Sequence, residues 1–194
     1  PQAGKESFPV PDTYRTKQAM ADALKELLAA RPFSKVSVSE LCEACGMNRK
    51  SFYYHFQDKY ALLNWIFYNE YVSRLRKDAD TVSDWGMLND LCRYIYDNRQ
   101  FYRRAFEVEG QNSFTDYFRE VIGSILTNDM ARIFGQTEHV DFFTNFYLDA
   151  FVCSIRRWLQ SSEVMPADTF SGLLKQCVAG VSDYIQKKYR EDAL

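Results

Sequence analysis

Hydrophobic residues recur at spacings of three and four along most of this chain, which is the pattern of helices with one buried face. The first such stretch is predicted to start near Thr13 and to end at about Arg31, before Pro32. Similar stretches fill the second half of the chain. They predict helices at Asp84 to Asn98, Arg99 to Glu107, Asn112 to Phe134, Val140 to Leu159, and from Pro166 onward. We therefore expect an all-α fold.

Between these stretches the predicted helices become short. Ser37, with Glu40 three positions later, forms a capping box that satisfies the free N–H groups of a helix predicted from Val38 to Cys45. Gly46 follows, and glycine is the residue that most easily adopts the left-handed conformation of a tight turn. The chain is thus predicted to leave this short helix by a sharp turn.

A second short helix is predicted after the turn, from Arg49 to about Phe56, with Asn48 as its cap. Asp58 can cap the next helix, which starts at Lys59 and can run to about Asp80. Two short helices joined by a tight turn have the geometry in which the second helix enters the major groove of DNA. The segment therefore predicts a helix-turn-helix.

The second short helix divides into a buried face and an outward face. Phe52 and Phe56 stand four residues apart and can bury the inner face, so the polar side chains must point elsewhere. Arg49 can bond two acceptors of guanine at once, and tyrosine, histidine and lysine side chains suit phosphate contacts. The candidate DNA-binding residues are Ser37, Ser39, Asn48, Arg49, Lys50, Ser51, Tyr53, Tyr54, His55 and Lys59.

Several of these residues also have a purely structural interpretation. Tyr53 and Tyr54 can be ordinary core aromatic residues. His55 can pack against a neighbouring helix, and Lys50 can be a solvated charge. The helix-turn-helix pattern around them favours DNA contact for Tyr53, while both interpretations stay open for His55 and Lys50.

Composition narrows the class of protein. An aromatic content of 16% with only 8 Gly and 5 Pro favours long packed helices. The formal net charge of −2 means that any nucleic-acid site must be local. Five cysteines, an odd number with no secretory signal before them, indicate free thiols and a cytoplasmic protein. No apolar run approaches the roughly 18 residues that a membrane span requires.

Metal and catalytic sites are not expected. The spacing of Cys42 and Cys45 suits zinc or redox chemistry, but a second pair of ligands is missing, and packing of two small residues is the simpler interpretation. The sequence has two histidines and neither a glycine-rich phosphate loop nor a nucleophile-elbow pattern. We therefore predict no enzyme activity, no metal and no cofactor.

The residues from Gly46 to Leu63, GMNRKSFYYHFQDKYALL, resemble the recognition segment of the TetR/AcrR family of transcriptional regulators. In that family the residues that correspond to Tyr53 and Lys59 contact the DNA backbone. The resemblance implies a helix-turn-helix DNA-binding domain at residues 13–60 and a helical regulatory and dimerisation domain at 61–194. Residues 1–12, a polar stretch with three prolines, are expected to be a flexible arm.

The resemblance also implies a homodimer that binds a palindromic operator in double-stranded DNA. The last two long helices, about Val140 to Ser161 and Ala167 to Lys188, are expected to pack against their counterparts as a four-helix interface. The alternative is that their apolar faces belong to the core of a single chain. The predicted interface residues are Phe143, Tyr147, Phe151, Ile155, Trp158, Leu174, Val178 and Val181.

A further implication is an effector pocket among the middle helices, with core packing as the alternative. Its predicted wall is Phe101, Tyr102, Phe106, Phe114, Tyr117, Phe118 and Phe134, with Arg103 or Arg104 as an anion anchor. The regions around residues 65–67, residues 98–102 and Trp158 are similar to DhaS-like activators of dihydroxyacetone kinase operons, some of which bind a protein co-regulator. The effector is therefore expected to be a small molecule or a partner protein.

The sequence thus predicts a dimeric transcriptional regulator, acting as a repressor or an activator. The main alternative is a protein–protein interaction module on the same scaffold without DNA binding. An enzyme that uses the aromatic pocket ranks below both, because no catalytic motif supports it.

Overall fold

A computed structural model of the chain describes residues 12–74, 84–108, 110, 113–134 and 139–192. The predicted arm at residues 1–12 lies outside these ranges except for Asp12. Every regular element within them is helical, as the spacing of hydrophobic residues predicts. The chain divides into two compact units between Ile66 and Phe67. None of the described helices is long and apolar enough to cross a membrane.

The first unit, here called the head, consists of four helices whose ends are set by local signals. They are α1 (Asp12–Ala30), α2 (Val38–Ala44), α3 (Arg49–His55) and α4 (Lys59–Phe67), with a 3-10 turn at Phe33–Lys35 before α2. α1 packs on α2, and α2 packs on α3. Each helix begins within one residue of its predicted start. The fully buried side chains of the head include Met20, Leu24, Leu28, Leu41, Phe52 and Leu62.

A π-helical turn, Tyr68–Val72, follows α4 directly. Such a turn inserts one residue into the helical ladder, and π turns are frequent at functional positions in helices. The sequence predicts an uninterrupted helix to about Asp80, because hydrophobic spacing does not distinguish a π turn from an α-helix. Residues 75–80 of that prediction lie outside the described part of the chain.

The second unit continues with five helices in the described residues. They are α5 (Asp84–Asp97), α6 (Arg99–Ala105), α7 (Phe114–Phe134), α8 (Val140–Gln160) and α9 (Ala167–Asp192). α7 packs along α8, α9 packs along α5, and α6 contacts α8. The Arg93 guanidinium also pairs with the Asp168 carboxylate at 2.7 Å, and the Ser171 hydroxyl donates to Asn89 Oδ1 at 2.6 Å. Polar contacts therefore reinforce the packing of α5 against α9.

Candidate nucleic-acid interface

The turn and the cap that precede α3 fix where this helix begins. Gly46 adopts a φ of +67°, and the Met47 N–H donates to the Cys42 carbonyl at 2.8 Å. The Asn48 side chain then caps α3, because its Oδ1 accepts a hydrogen bond from the Ser51 N–H at 2.8 Å. These contacts join α2 to α3 through local hydrogen bonds alone.

α3 has the buried and exposed faces that the sequence predicts. Phe52 and Phe56 are buried, and their ring centroids lie 5.9 Å apart. On the other side 49% of Tyr53 and 82% of Tyr54 are exposed, so neither is a core aromatic residue. α3 therefore presents a polar and aromatic face to solvent. Its other polar side chains are the exposed Arg49 and Lys50 and the half-buried Ser51 and His55.

Two contacts between side chains order this outward face. The Arg49 guanidinium lies 5.8 Å from the centroid of the Tyr53 ring, within the range of a cation–π contact. The His55 ring packs edge-on against Tyr54 with 4.9 Å between centroids. Partial burial and the nearby charge of Lys17 lower the pKa of His55, so its imidazole is neutral at pH 7. The face therefore carries its positive charge on Arg49 and Lys50.

The side chain of Ser37 is used in the cap of α2. Its hydroxyl accepts a hydrogen bond from the Glu40 N–H at 3.2 Å and donates to Glu40 Oε2 at 2.7 Å. Hydrogen bonds from Ser37 and from Arg31 lower the pKa of Glu40 to about 2. Because this ionised carboxylate repels a phosphate, the geometry favours a capping role for Ser37 over the predicted DNA contact. The neighbouring Ser39 is exposed.

Lys59 points into the head. Its ammonium group donates to the Phe33 carbonyl at 2.8 Å and to the Val36 carbonyl at 2.6 Å, and lies 4.5 Å from the centroid of the Phe33 ring. Partial burial lowers the pKa of this lysine. The contacts span 23 and 26 residues along the chain, so no local sequence signal predicts them. Two of the three donors of this ammonium group are thus used within the head.

The Cys42 and Cys45 thiols have the packing environment that the sequence favours. Cys42 is buried, and the Cys45 thiol lies 3.5 Å from the Cys42 carbonyl. Burial raises the pKa of both thiols, so neither is an activated thiolate. Among the described residues no group of His, Cys, Asp and Glu side chains is arranged to hold a metal ion.

The predicted pocket wall is a packed aromatic core. The rings of Phe106, Phe114 and Phe118 contact one another at centroid distances of 5.0, 5.2 and 5.9 Å. Tyr102 packs on Phe114, and Phe67 packs on both Phe114 and Phe118. All five side chains are fully or almost fully buried. Tyr102, Phe106, Phe114 and Phe118 therefore have the packing of a core, which is the alternative to the predicted pocket.

The remaining members of the predicted pocket also contact protein groups. Arg103 donates to the Gln160 carbonyl at 2.9 Å, and Arg104 pairs with Glu107 at 3.1 Å. Both arginines are therefore bonded within the chain. Of the other predicted wall residues, Phe101 and Phe134 are buried and Tyr117 is half-buried.

A cavity with a different lining lies in the second unit. The cavity is small, with a volume of about 20 Å³, and its walls are Tyr71, Met87, Leu88, Leu91, Ile122, Ile125, Leu126, Phe151 and Ile155. This is room for about one water molecule. The Tyr71 hydroxyl donates to the Met87 carbonyl at 3.0 Å, and burial raises the pKa of this tyrosine. The lining comes from the π turn, α5, α7 and α8, at apolar positions that the sequence does not distinguish from ordinary core positions.

Most residues predicted for a dimer interface are in the core of the second unit instead. Tyr147, Phe151, Ile155, Trp158, Leu174 and Val178 are each at most 7% exposed, and Phe143 is half-buried. The Trp158 ring, for example, stacks on Phe170 at 4.2 Å, and its N–H donates to the Met165 carbonyl at 2.8 Å. These six side chains therefore have the core environment that is the alternative to the predicted interface. Val181 is 36% exposed.

α8 and α9 expose other large apolar side chains. Phe142 is 66% exposed and Phe146 57%, and their rings stack with 18° between planes. On α9, Leu173 is 45% exposed and Tyr184 68%. These residues belong to a second apolar stripe, and hydrophobic spacing alone does not tell which of two stripes faces the core. This exposed set, together with Val181, is called the α8–α9 face below.

A capped helix-turn-helix with an outward polar face, followed by an all-helical unit, defines a helix-turn-helix transcriptional regulator. Two family models match the chain and narrow this class. Residues 21–66 match the model described as bacterial regulatory proteins, tetR family. Residues 83–180 match a model of the TetR type described as a transcriptional regulator C-terminal region. The chain belongs to the TetR family, as the Gly46–Leu63 segment predicts.

Individual relatives point to the DhaS-like members of the family. The HTH-type dhaKLM operon transcriptional activator DhaS of Lactococcus lactis subsp. lactis (strain IL1403) is 27% identical over 138 residues, which are 71% of each protein. A solved structure of a dihydroxyacetone kinase operon activator DhaS has a TM-score of 0.67 at 19% identity, covering 87% of this chain and 97% of that one. A TetR regulator from Streptococcus agalactiae 2603V has a TM-score of 0.67 at 20% identity, with 86% and 94% covered.

Proposed function

We propose that this TetR-family regulator binds a palindromic operator in double-stranded DNA as a homodimer, with α3 of each subunit in the major groove. One observation supports the proposal most strongly: α3 buries Phe52 and Phe56 and directs Arg49, Tyr53 and Tyr54 to solvent. If Tyr53 and Tyr54 served only the stability of the head, they would be buried like Phe52 and Phe56. A large exposed tyrosine adds little to stability. An exposed array of donors on a rigidly capped helix suits base edges and phosphates.

The proposed roles differ along α3. Arg49 reads a base, with Lys50 and Ser51 as its neighbours on the groove side. Tyr53 and His55 hold phosphates, and Tyr54 contacts the groove through its exposed ring. Asn48 and Ser37 act indirectly, because their side chains cap α3 and α2. Of the ten predicted DNA-binding residues, these two are thus assigned to holding the head in shape.

Binding to DNA is tested by selecting fragments from genomic DNA with the purified full-length protein. The retained fragments are then titrated with Arg49→Ala and Tyr53→Phe variants by fluorescence anisotropy. Arg49→Ala should reduce the preference for the selected sequence by about 1–3 kcal/mol, whereas Tyr53→Phe should weaken binding to all sequences alike. The matched controls are Arg74→Ala and Tyr68→Phe, which make the same changes at exposed side chains of the second unit. Both control variants should bind the fragments with the affinity of the unchanged protein. Failure to retain any fragment would favour the interaction-module alternative.

Pairing of two subunits is proposed to use the α8–α9 face. Large apolar side chains with more than a third of their surface in solvent are unusual for a monomer and typical of an interface. Phe146→Glu with Val181→Glu should produce a monomer in analytical ultracentrifugation, while Glu163→Lys, an exposed change between α8 and α9, should leave the dimer intact. A double variant that sediments as a dimer would refute this choice of surface.

Effector control is proposed to act through the cavity of the second unit. Its lining is hydrocarbon apart from Met87 and Tyr71, whose hydroxyl is already bonded to a carbonyl. An uncharged apolar molecule is therefore the proposed effector, because a buried charge would find no partner there. Because the cavity has a volume of only about 20 Å³, such a molecule would enter by displacing the side chains that line it. Thermal unfolding in the presence of small aromatic hydrocarbons should then show a rise in midpoint, and Leu88→Trp, which closes the space, should abolish this rise. Benzoate is the charged control.

Activation rather than repression is proposed from the relatives. The relative in Lactococcus lactis is named as an operon transcriptional activator, and a solved structure with a TM-score of 0.67 carries the same kind of name. Deleting the gene should therefore lower transcription of the operon that carries the selected fragment. A rise in transcription on deletion would show that the protein represses.

A further inference from the structure

Lys17 of α1 lies beside the end of α3. Its ammonium nitrogen is 5.4 Å from the centroid of the Phe56 ring, at the residue that ends α3, and 5.9 Å from the centroid of the Trp65 ring of α4. Both distances are within the range of a cation–π contact. The Tyr14 ring, one turn earlier on α1, packs edge-on against Trp65 at 6.0 Å. Aromatic side chains therefore fix where this ammonium group lies, although none of them neutralises its charge.

The charge of Lys17 has no anionic partner in the part of the chain that the structure describes. Over those residues the ammonium group makes neither an ion pair nor a hydrogen bond. The side chain is half-buried, so it has also lost part of its hydration. Its three N–H donors are therefore available to an anion from outside the chain.

The neighbouring His55 adds a second group of the same kind. Partial burial and the charge of Lys17 lower the pKa of this histidine, which shows that the two side chains are close enough to repel each other when both are charged. His55 also has no ion pair among the described residues. A folded chain gains nothing from placing two unpaired basic groups together, whereas a bound anion would be attracted by both.

This pair of basic groups borders the outward face of α3. The His55 ring packs against Tyr54, which is 82% exposed on that face. When a recognition helix occupies the major groove, the phosphates of the groove edges lie beside it and receive contacts from neighbouring side chains. A cation at the end of α3, supplied by a different helix, is therefore in the place where a backbone phosphate would lie.

We infer that Lys17 and His55 form a site for one phosphate of the DNA backbone, in which Lys17 supplies the charge and His55 an imidazole N–H. The inference rests on the proposed DNA binding and deepens it, because it adds a contact from α1 to those of α3. The ligand is a phosphodiester, a single negative charge with two free oxygens, so each of the two donors can bind one oxygen. Since phosphates carry no sequence information, the site contributes to affinity for every sequence alike.

The test measures how the affinity of the full-length protein for a selected fragment changes with salt, between about 50 and 300 mM. Lys17→Met removes the charge and the donors and keeps most of the apolar stem against the rings. The loss of one phosphate contact in each subunit should reduce the slope of log K against log salt by about 1.8, and the affinity at about 100 mM salt should fall by a factor of about 10 or more. Lys25→Met is the matched control, because it removes the charge of another half-buried lysine of α1, about two turns further along. It should leave the slope and the affinity unchanged.

Three results would overturn the inference. If Lys17 only braces the aromatic rings, Lys17→Met lowers the unfolding midpoint and leaves the slope unchanged. If any positive charge on the head has the same effect, Lys25→Met reduces the slope as much as Lys17→Met does. Lys17→Arg keeps a long cationic side chain that binds phosphate, so it should restore the slope of the unchanged protein. A slope that stays reduced in this variant would contradict a phosphate contact.

Sharing of one phosphate is tested by a double-mutant cycle with His55→Ala. If both side chains hold the same phosphate, the double variant Lys17→Met with His55→Ala should lose less affinity than the sum of the two single losses. Additive losses would show that the two side chains do not form one site.

The Arg49→Ala variant separates this inference from the proposed function. If Arg49→Ala loses the preference for the selected sequence while Lys17→Met leaves the slope unchanged, DNA binding by α3 stands and only the phosphate site is wrong. If the unchanged protein retains no fragment, the proposed function fails and the phosphate site fails with it.

Discussion

The aromatic core of the second unit gives the sharpest test of whether its rings form a core or a pocket. Phe118 is fully buried, and its ring lies 5.2 Å from those of Phe67 and Phe106 and 5.9 Å from that of Phe114. The perturbation is Phe118→Ala, which removes a ring that three others contact. In a packed core this leaves a cavity that the neighbouring rings cannot fill by small movements.

The expected cost follows from that burial. Truncating a fully buried phenylalanine to alanine costs about 3–5 kcal/mol, through lost transfer energy and the cavity left behind. Domains are stable by only roughly 5–15 kcal/mol, so the change removes a large part of the total. For a unit of this size the unfolding midpoint should fall by about 10–20 °C. Phe118→Leu, which keeps most of the volume, should cost about 1–1.5 kcal/mol.

Urea unfolding, monitored by circular dichroism, compares the free energy of unfolding of both variants with that of the unchanged protein. Equal slopes of this free energy against urea concentration show that the same unfolding transition is measured in each protein. A loss of less than about 1 kcal/mol in Phe118→Ala would contradict the packed-core description. Restoration of the lost stability by added small aromatic molecules would indicate that the engineered space binds ligands, as dry apolar cavities do. It would not show that the unchanged core is a pocket.

Three further predictions concern the head. Asn48→Ala removes the cap of α3 and should lower the free energy of unfolding by about 1 kcal/mol in urea titration, with no loss if the cap is dispensable. Gly46→Ala places a side chain at a φ of +67°, and the added Cβ would meet no other atom within 4 Å, so the only cost is backbone strain of about 1–2 kcal/mol. An unchanged unfolding midpoint would contradict this strain. The folded pKa of Glu40 is about 2, against an ordinary 4.5, so its stabilisation is present above pH 4.5 and is lost as the pH falls toward 2; Glu40→Gln should flatten the pH dependence of the midpoint in that window.

The helix-turn-helix was predictable because each of its signals is local. Ser37 and Glu40 are three residues apart, Asn48 caps the N–H of Ser51, and Gly46 needs only its own backbone freedom. Such contacts join residues that are close in the sequence, so the spacing of the residues is enough to predict them. The family resemblance rests on the same short segment, and the matches of the family models confirm it.

The features that the sequence does not predict all depend on contacts between distant segments. Both Phe146 and Tyr147 lie on apolar stripes of α8. Tyr147 is buried and Phe146 is not, because α7 packs on the stripe of Tyr147, where the Phe134 ring lies 5.3 Å from the Tyr147 ring. The aromatic residues of α6 and α7 suit a pocket wall and a packed core equally well until their mutual distances are known. For Lys59 the partners lie 23 and 26 residues away. The spacing of hydrophobic residues predicts that a helix has an apolar face, but it does not predict which other helix packs against that face.

In α3 the residues that hold the helix and the residues that face outward are separate sets. Asn48, Phe52 and Phe56 hold it, while Arg49, Lys50 and Tyr54 are exposed. Substitutions at the exposed positions therefore change little in the packing of the head. After gene duplication, a copy of this protein can acquire a new target sequence by a few such changes without first passing through an unstable intermediate.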